Sequence, residues 1–276
     1  MILPSQYLLL FSSIIALLSG FNTIVFAEAN ENNRSKEEMV FIPAGEFLLG
    51  STGKEGRLGY SIGVDEVPQR TVHLKAYYID KYEVTNDRYR MFIEATDHPS
   101  PVDVKHGLYS WNGNTPPDGQ ENFPVTYVSW HEADEFCQWA GKRLPSEEEW
   151  EKAARGVDGR QWPWGNDYKG SVCNTKYGSG PQSIIPVGST PEDRSPYGVY
   201  DMCGNVSEWT SSWYLPYPGS SLIRESFGEK YKVTRGGSWV IPAIPYSRSP
   251  YRANTFTTDY QHRGIGFRCV KDVDEK

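Results

Sequence analysis

"DMCGNVSEWTSSWY", Asp201 to Tyr214, sets an acid, a cysteine and a Gly-Asn pair ahead of a second acid and two tryptophans. Asp201 and Glu208 stand seven residues apart, with Gly204 and Asn205 between them. Three readings are open to such a stretch. It can be a loop that holds a cation between two carboxylates, a tight turn that leads an aromatic pair into a core, or part of a catalytic floor. The rest of the chain has to decide between them.

Working outward, the 276 residues include 9 Trp, 18 Tyr, 11 Phe, 26 Gly and 19 Pro. Such a chain buries large aromatic plates between loops rather than long aliphatic helices, so little regular structure is expected. A net charge of -7 leaves no electrostatic footprint for nucleic acid. The first 27 residues carry no charged side chain and contain the apolar runs Tyr7 to Phe11 and Ile14 to Leu18. Val25-Phe26-Ala27 then puts small residues at the -3 and -1 positions, and Glu28, Asn30 and Glu31 turn the chain polar. This is the layout of a secretory signal peptide over residues 1–27, and it predicts an exported protein, periplasmic or extracellular. No Lys or Arg precedes the apolar run, which keeps an uncleaved N-terminal anchor, and with it a membrane contact, as the alternative. In an oxidising compartment the four cysteines, Cys137, Cys173, Cys203 and Cys269, point to two disulfides, with three pairings open.

Residues 28–38 read as a flexible leader, and residues 39–273 as one domain. "MVFIPAGEFLLGS" holds two short β-like runs around Pro43-Ala44-Gly45, and "RTVHLKAYYIDKYEV" alternates as a strand pair. Thr85 or Asn86 can cap a helix running to about Ala95, with Tyr89, Phe92 and Ile93 on one face. A second helix is expected from Trp130 to Ala140, ended by Gly141. A third starts at Ser146, where "SEEEWEKAARG" forms a capping box between Ser146 and Glu149, with its early acids at the positive helix end. From Gly156 onward the chain is rich in Gly, Pro, Asn and Trp, and "KVTRGGSWV" and "GIGFRCVKD" read as closing strands.

Local catalytic signatures are scarce. His73, His98, His106, His131 and His262 form no short metal-binding spacing, so iron is not supported. "HEADE" places His131 and Glu135 on one helical face, which reads as an ordinary helix N-terminus rather than a metal site. There is no nucleophile elbow, phosphate loop or dinucleotide fingerprint. Gly236 and Gly237 suit close backbone packing.

Seven stretches, taken in order, are more telling than any one of them. "MVFIPAGEFLLGS", "VHLKAYYIDKYEVTN", "PVTYVSWHEADEFCQWAGKRLPSEEEWEKAARG", "WPWGN", "YGVYDMCGNVSEWTSSWY", "RGGSW" and "GFRC" occur as in the formylglycine-generating enzyme, or sulfatase-modifying factor, domain. The chain resembles this family from about Met39 to Asp272. The resemblance implies a single α+β domain of the C-type-lectin-like kind, with little regular secondary structure and bound calcium. It implies a disulfide between Cys137 and Cys269, which leaves Cys173 to pair with Cys203. It also implies a structural calcium ion held by Asp201, the carbonyls of Gly204 and Val206, and Glu208. A second family calcium site begins at positions matched by Asn174 and the Thr175 carbonyl. There this chain keeps no carboxylate before Glu192, so the second site is incomplete.

The family's founding chemistry is missing. It oxidises a substrate cysteine to formylglycine with two cysteines lying between "RGGS" and "GFRC", and such thiolates bind a soft ion such as Cu(I). Here that interval reads "WVIPAIPYSRSPYRANTFTTDYQHRGI", without a cysteine, so copper is not expected. Arg235 before it, and Arg248, Arg252 and Arg263 within it, surround the place of the missing cysteines together with Trp239, Tyr246 and Tyr251. They can line a cationic, aromatic cleft for an anionic or aromatic ligand, or be structural ion pairs under loops. Two functions remain. One is an accessory or maturation factor that binds an exported protein, a peptide or a small molecule. The other is a divergent periplasmic oxidoreductase, similar to the branch of the family that matures siderophores.

Overall fold

In the computed structural model of the protein, residues 38–53, 63–102, 111–178, 181 and 183–274 are described. The expected signal peptide and all of the leader but Glu38 lie outside the described residues. Strand β1 (Met39–Ile42) is followed by β2 (Gly45–Leu49), β3 (Arg70–Leu74) and β4 (Tyr77–Asp80). Three helices come next, α1 (Asn86–Thr96), α2 (Trp130–Trp139) and α3 (Glu147–Arg155). The remainder is mostly loop. It carries β5 (Ser207–Trp213), β6 (Lys232–Arg235), a kinked turn α4 (Ala243–Tyr246), β7 (Ala253–Phe256), β8 (Ile265–Gly266) and β9 (Val270–Asp272).

Each helix begins where its capping residue falls. Thr85 Oγ1 accepts from Arg88 N at the start of α1, and Asp97, in the left-handed region at φ 58°, ends it. At α2 Ser129 and Glu132 form a reciprocal capping box, and at α3 Ser146 and Glu149 form another. In both boxes a hydroxyl takes an amide that the first turn leaves without a partner, and the glutamate returns the bond. The apolar side of α1, with Tyr89, Phe92 and Ile93, meets Ala133, Phe136 and Cys137 of α2. That cluster also takes in Trp209 and Phe267, so helices and sheet share one core. A second cluster lays Trp150, Ala153 and Ala154 of α3 against Tyr77, Ile79, Met202 and Val270.

The strands sort into three sheets, β1-β4-β9, β2-β3 and β7-β6-β5-β8. All pairings are antiparallel except β5 with β8, which is parallel. The strand pair expected in "RTVHLKAYYIDKYEV" needs correcting. Both strands form, but β3 pairs with β2 and β4 pairs with β1 and β9. Likewise, "GIGFRCVKD" splits into β8 and β9, which belong to different sheets. Two disulfides tie the loops down. Cys137–Cys269 joins α2 to the run before β9, and Cys173–Cys203 joins two loops 30 residues apart. No described helix is long and apolar enough to cross a membrane.

Candidate functional site

The Asp201–Glu208 stretch folds back on itself through left-handed residues at Asp201 (φ 59°) and Asn205 (φ 64°). Asp and Asn tolerate this region better than most residues because their short polar side chains bond locally. Asn205 N donates to Asn174 O at 2.9 Å, and its side chain exchanges bonds with the backbone of Ile185. Gly204 packs so closely here that a Cβ would lie 2.6 Å from Asn174 O and 2.8 Å from Asn174 N. Gly237 is equally pressed, with Cys203 O 2.2 Å from where its Cβ would be. These contacts and the Cys173–Cys203 disulfide hold the loop between two neighbouring segments. Val206 is fully buried, and Trp209 descends into the core with its Nε1 donating to Val128 O at 3.0 Å.

The carboxylates of the loop are spoken for unequally. Asp201 accepts from Gly188 N at 2.6 Å and Thr190 Oγ1 at 3.0 Å. Glu208 is held on both oxygens by Arg268, at 2.6 and 2.7 Å, and also takes the Trp150 Nε1 proton at 2.8 Å. The residues expected to share a cation therefore differ: Glu208 is committed to a guanidinium, and Asp201 faces another acid. That acid is Glu83, from the segment between β4 and α1, which sequence reasoning missed. It is 2 % exposed, and apart from the Asp201 carboxyl neither of its oxygens meets a partner. A hydrogen bond between Glu83 and Asp201 requires one of the two carboxyls to keep a proton. Burial, followed by the charge of Asp201, pushes the Glu83 carboxyl well above the usual carboxylate range. Burial also raises Asp193, which accepts from Cys203 N and lies beside Asp201. Four buried carboxylates, Glu83, Asp193, Asp201 and Glu208, thus lie within the electrostatic reach of one guanidinium, Arg268, which contacts Glu208. Low-dielectric surroundings do not support that excess of negative charge without protons or a cation. A hard, oxygen-seeking ion suits the cluster. At the second family position, Asn174 Oδ1 and Thr175 Oγ1 are also buried without partners, and the sequence places no carboxylate between them and Glu192.

The arginines of the expected cleft turn inward. Arg248 makes a two-point contact with Glu66 at 2.7 and 2.9 Å, and Arg252 does the same with Glu147 at 2.9 Å on both arms. Arg235 pairs with Glu151, which also receives Arg155, and donates to the carbonyls of Pro250 and Tyr251. Desolvation pushes the Glu66 and Glu147 carboxyls up, while their arginines pull them back. Arg235, Arg248 and Arg252 are 0–2 % exposed, so these three brace the floor instead of facing a ligand. What reaches the surface is the exposed Arg263 guanidinium, 4.9 Å from the half-buried Trp239 ring, and the edge-on pair Tyr246 and Tyr251 at 5.3 Å. A cavity of about 880 Å³ is lined by Gly63, Val64, Val67, Pro68, Leu222 and Ile223 among others, along the segment whose Asp65 and Glu66 hold Arg252 and Arg248.

Histidine offers no metal centre in the described structure. His131 is exposed, with Asp259 3.9 Å away, and Glu135 pairs with His98 at 3.3 Å. Among the described residues the three-residue cluster of metal-ligating types is Cys173, Asp193 and Cys203, and its two sulfurs are joined to each other. Lys232 also escaped the sequence reading. Its Nζ lies 3.7 Å from the Trp213 ring and 4.1 Å from the Trp130 ring, and donates to Ser211 O at 2.8 Å. No local pattern announces such a sandwich, because its three members come from α2, β5 and β6.

Comparison with known proteins identifies the family and the fold. Residues 25–273 match the sulfatase-modifying factor enzyme 1-like domain. The inactive C-alpha-formylglycine-generating enzyme 2 of Mus musculus is 31% identical over 281 residues, covering 85% of this chain and 86% of that one. The formylglycine-generating enzyme of Streptomyces coelicolor is 31% identical over 292 residues, covering 87% and 91%. Among solved structures, PvdO from Pseudomonas aeruginosa superposes with a TM-score of 0.68 at 29% identity, covering 85% of this chain and 94% of that one. Motifs, fold and relatives converge: the chain belongs to the sulfatase-modifying factor family and has the formylglycine-generating-enzyme fold.

Proposed function

We propose that this protein is an exported, calcium-stabilised accessory or maturation factor that binds a protein, peptide or small-molecule partner and does not oxidise cysteine to formylglycine through a dithiol. One observation carries the reading: all four cysteines are spent in disulfides, so the folded chain offers no thiol for a copper-dithiol centre. The inward commitment of Arg235, Arg248 and Arg252 supports it, since a floor locked by ion pairs serves as scaffold. For a partner, the Arg263–Trp239 pair and the half-buried Tyr246–Tyr251 pair offer a cation and aromatic faces that suit an anionic or aromatic group. A second reading, in line with the resemblance to the siderophore-maturing branch of the family, is a divergent oxidoreductase acting on a small molecule or peptide.

The test is element-specific metal analysis of protein purified from its native compartment, followed by incubation with a cysteine-containing peptide, copper and oxygen. The expected result is stoichiometric calcium, no copper or iron, and no aldehyde on the peptide by mass spectrometry. Formylglycine in the peptide would overturn the accessory reading. A stoichiometric redox metal, or oxygen uptake with a small-molecule substrate, would establish the second one.

A further inference from the structure

The cavity of about 880 Å³ has no part in either function proposed above. Among the described residues that line it, none carries an ionisable side chain; its walls are aliphatic, with the Ser220 and Ser221 hydroxyls and the Gln69 amide between them. Its size lies within the ~300–1,000 Å³ range of sites that take a ligand. The wall formed by residues 63–69 is fixed from beneath. Arg248 holds Glu66 at both carboxylate oxygens, and Arg252 Nη1 donates to Asp65 O at 3.0 Å. The Tyr214 hydroxyl donates to Asp65 Oδ2 at 2.7 Å and accepts from Arg224 Nη1 at 3.1 Å. Tyr214 therefore ties this wall to the residue that follows Ile223 in the other one.

That other wall, residues 219–223, is the informative one. Ile223 is 93 % exposed, so nearly a whole isoleucine side chain meets water at the edge of a concave surface. Such exposure favours a partner that covers it. From Ser221 to Arg224 the exposure alternates with the period of an extended chain, yet the segment belongs to none of the three sheets. Its two edges differ. Leu222 N donates to Ser220 Oγ at 3.3 Å, and Arg224 O accepts from Phe227 N at 3.1 Å. Ser221 and Ile223 share the opposite edge, and among the described residues no hydrogen bond reaches their backbone. An extended edge in that state is a template for another chain.

We propose that the groove between residues 63–69 and 219–223 binds an extended, uncharged peptide segment of another protein, added as a strand to the Ser221–Ile223 edge. Main-chain bonds then give affinity, and the cavity receives alternate aliphatic or aromatic side chains. The uncharged lining selects against charge, because an ionised side chain taken into the groove loses water and gains no counter-ion. A small ligand would fill the cavity and leave the open edge unused. This site shares no residue with the Arg263–Trp239 and Tyr246–Tyr251 pairs, and it does not depend on which of the two functions the protein has.

The test uses the full folded chain and a library of acetylated, amidated hexapeptides with neutral or charged residues at each position. Neutral peptides with aliphatic or aromatic residues at alternate positions are expected to be retained, and the tightest is measured by fluorescence polarisation. Ile223→Asp alters an exposed side chain, so the fold is expected to persist while that peptide weakens by about 10-fold or more. N-methylation of alternate peptide amides is expected to weaken it as well, and hydrogen exchange at the Ser221 and Ile223 amides to slow when it binds. Retention of charged peptides alone, or unchanged binding in Ile223→Asp, overturns the proposal. So does binding that survives N-methylation with exchange at Ser221 and Ile223 unaltered. Uptake of the neutral dye N-phenyl-1-naphthylamine with no peptide retained would give the cavity to a small apolar molecule. A dimer in light scattering that Ile223→Asp abolishes would give it to a second copy of the chain, and either result overturns the proposal. None of these outcomes alters the metal content or the aldehyde assay, so this site and the function proposed above fail separately.

Discussion

Lys232 shows how a single charge is handled when aromatic faces replace water. Two indole rings, Trp130 and Trp213, close on its ammonium, and the Ser211 carbonyl accepts one proton. The rings attract the cation, yet removal from water costs more, and desolvation brings its pKa down from 10.5 to about 8. The folded chain thus holds this proton less tightly than the unfolded chain does. Stability should rise with pH between about 8 and 10.5, where the unfolded state keeps a proton that the native state has lost. Denaturation across that window should show the rise in wild type and a shallower one in Lys232→Met. The buried Arg252–Glu147 pair obeys a different rule. Arg252→Met, which strands Glu147, is expected to cost about 3–5 kcal/mol. The double change to Met and Gln should cost much less than the two single changes together. A chemical-denaturation cycle measures both.

At the scale of elements, helix starts are local events and were legible for that reason. The Ser146–Glu149 box occupies four consecutive residues, and the structure shows both of its bonds. Ser146→Ala should cost about 1 kcal/mol in urea denaturation, with the fold retained. The same local signal, Ser129 to Glu132, stands before α2. Strand partnership was not legible. β3 and β4 are separated by Lys75 and Ala76 alone, yet they join different sheets. Alternation tells a strand which face to bury but not which strand to choose. Glu83 escaped for a similar reason. Nothing near it in sequence marks it as more than one acid in "DKYEVTN", and its neighbours Asp201 and Arg268 lie far along the chain.

For the whole molecule, covalent closure does much of what a larger regular core would do. The Cys137–Cys269 bridge closes a span of 132 residues. In the chain-entropy view this limits the unfolded state by about 4–5 kcal/mol. Replacing both cysteines by serine should lower stability by that order, and a guanidinium midpoint shift at unchanged slope would report it. Family motifs made the fold legible, because seven of them in fixed order leave few alternatives. The candidate site was legible only in part. Arg235, Arg248 and Arg252 were identifiable as a group, but their carboxylate partners Glu151, Glu66 and Glu147 come from other segments, and only the fold brings them together.

The β1-β4-β9 sheet has a consequence for how this unit can be carried. Its first strand and its last flank the same central strand and run parallel to each other, with Met39 opposite Asp80 and Asp272 opposite Tyr77, so the two ends of the folded domain lie ~14 Å apart. A unit whose ends lie this near each other behaves as a cassette. It can be spliced into a surface loop of another protein, or have its ends joined and reopened elsewhere, without disturbing the carboxylate cluster or the arginine floor.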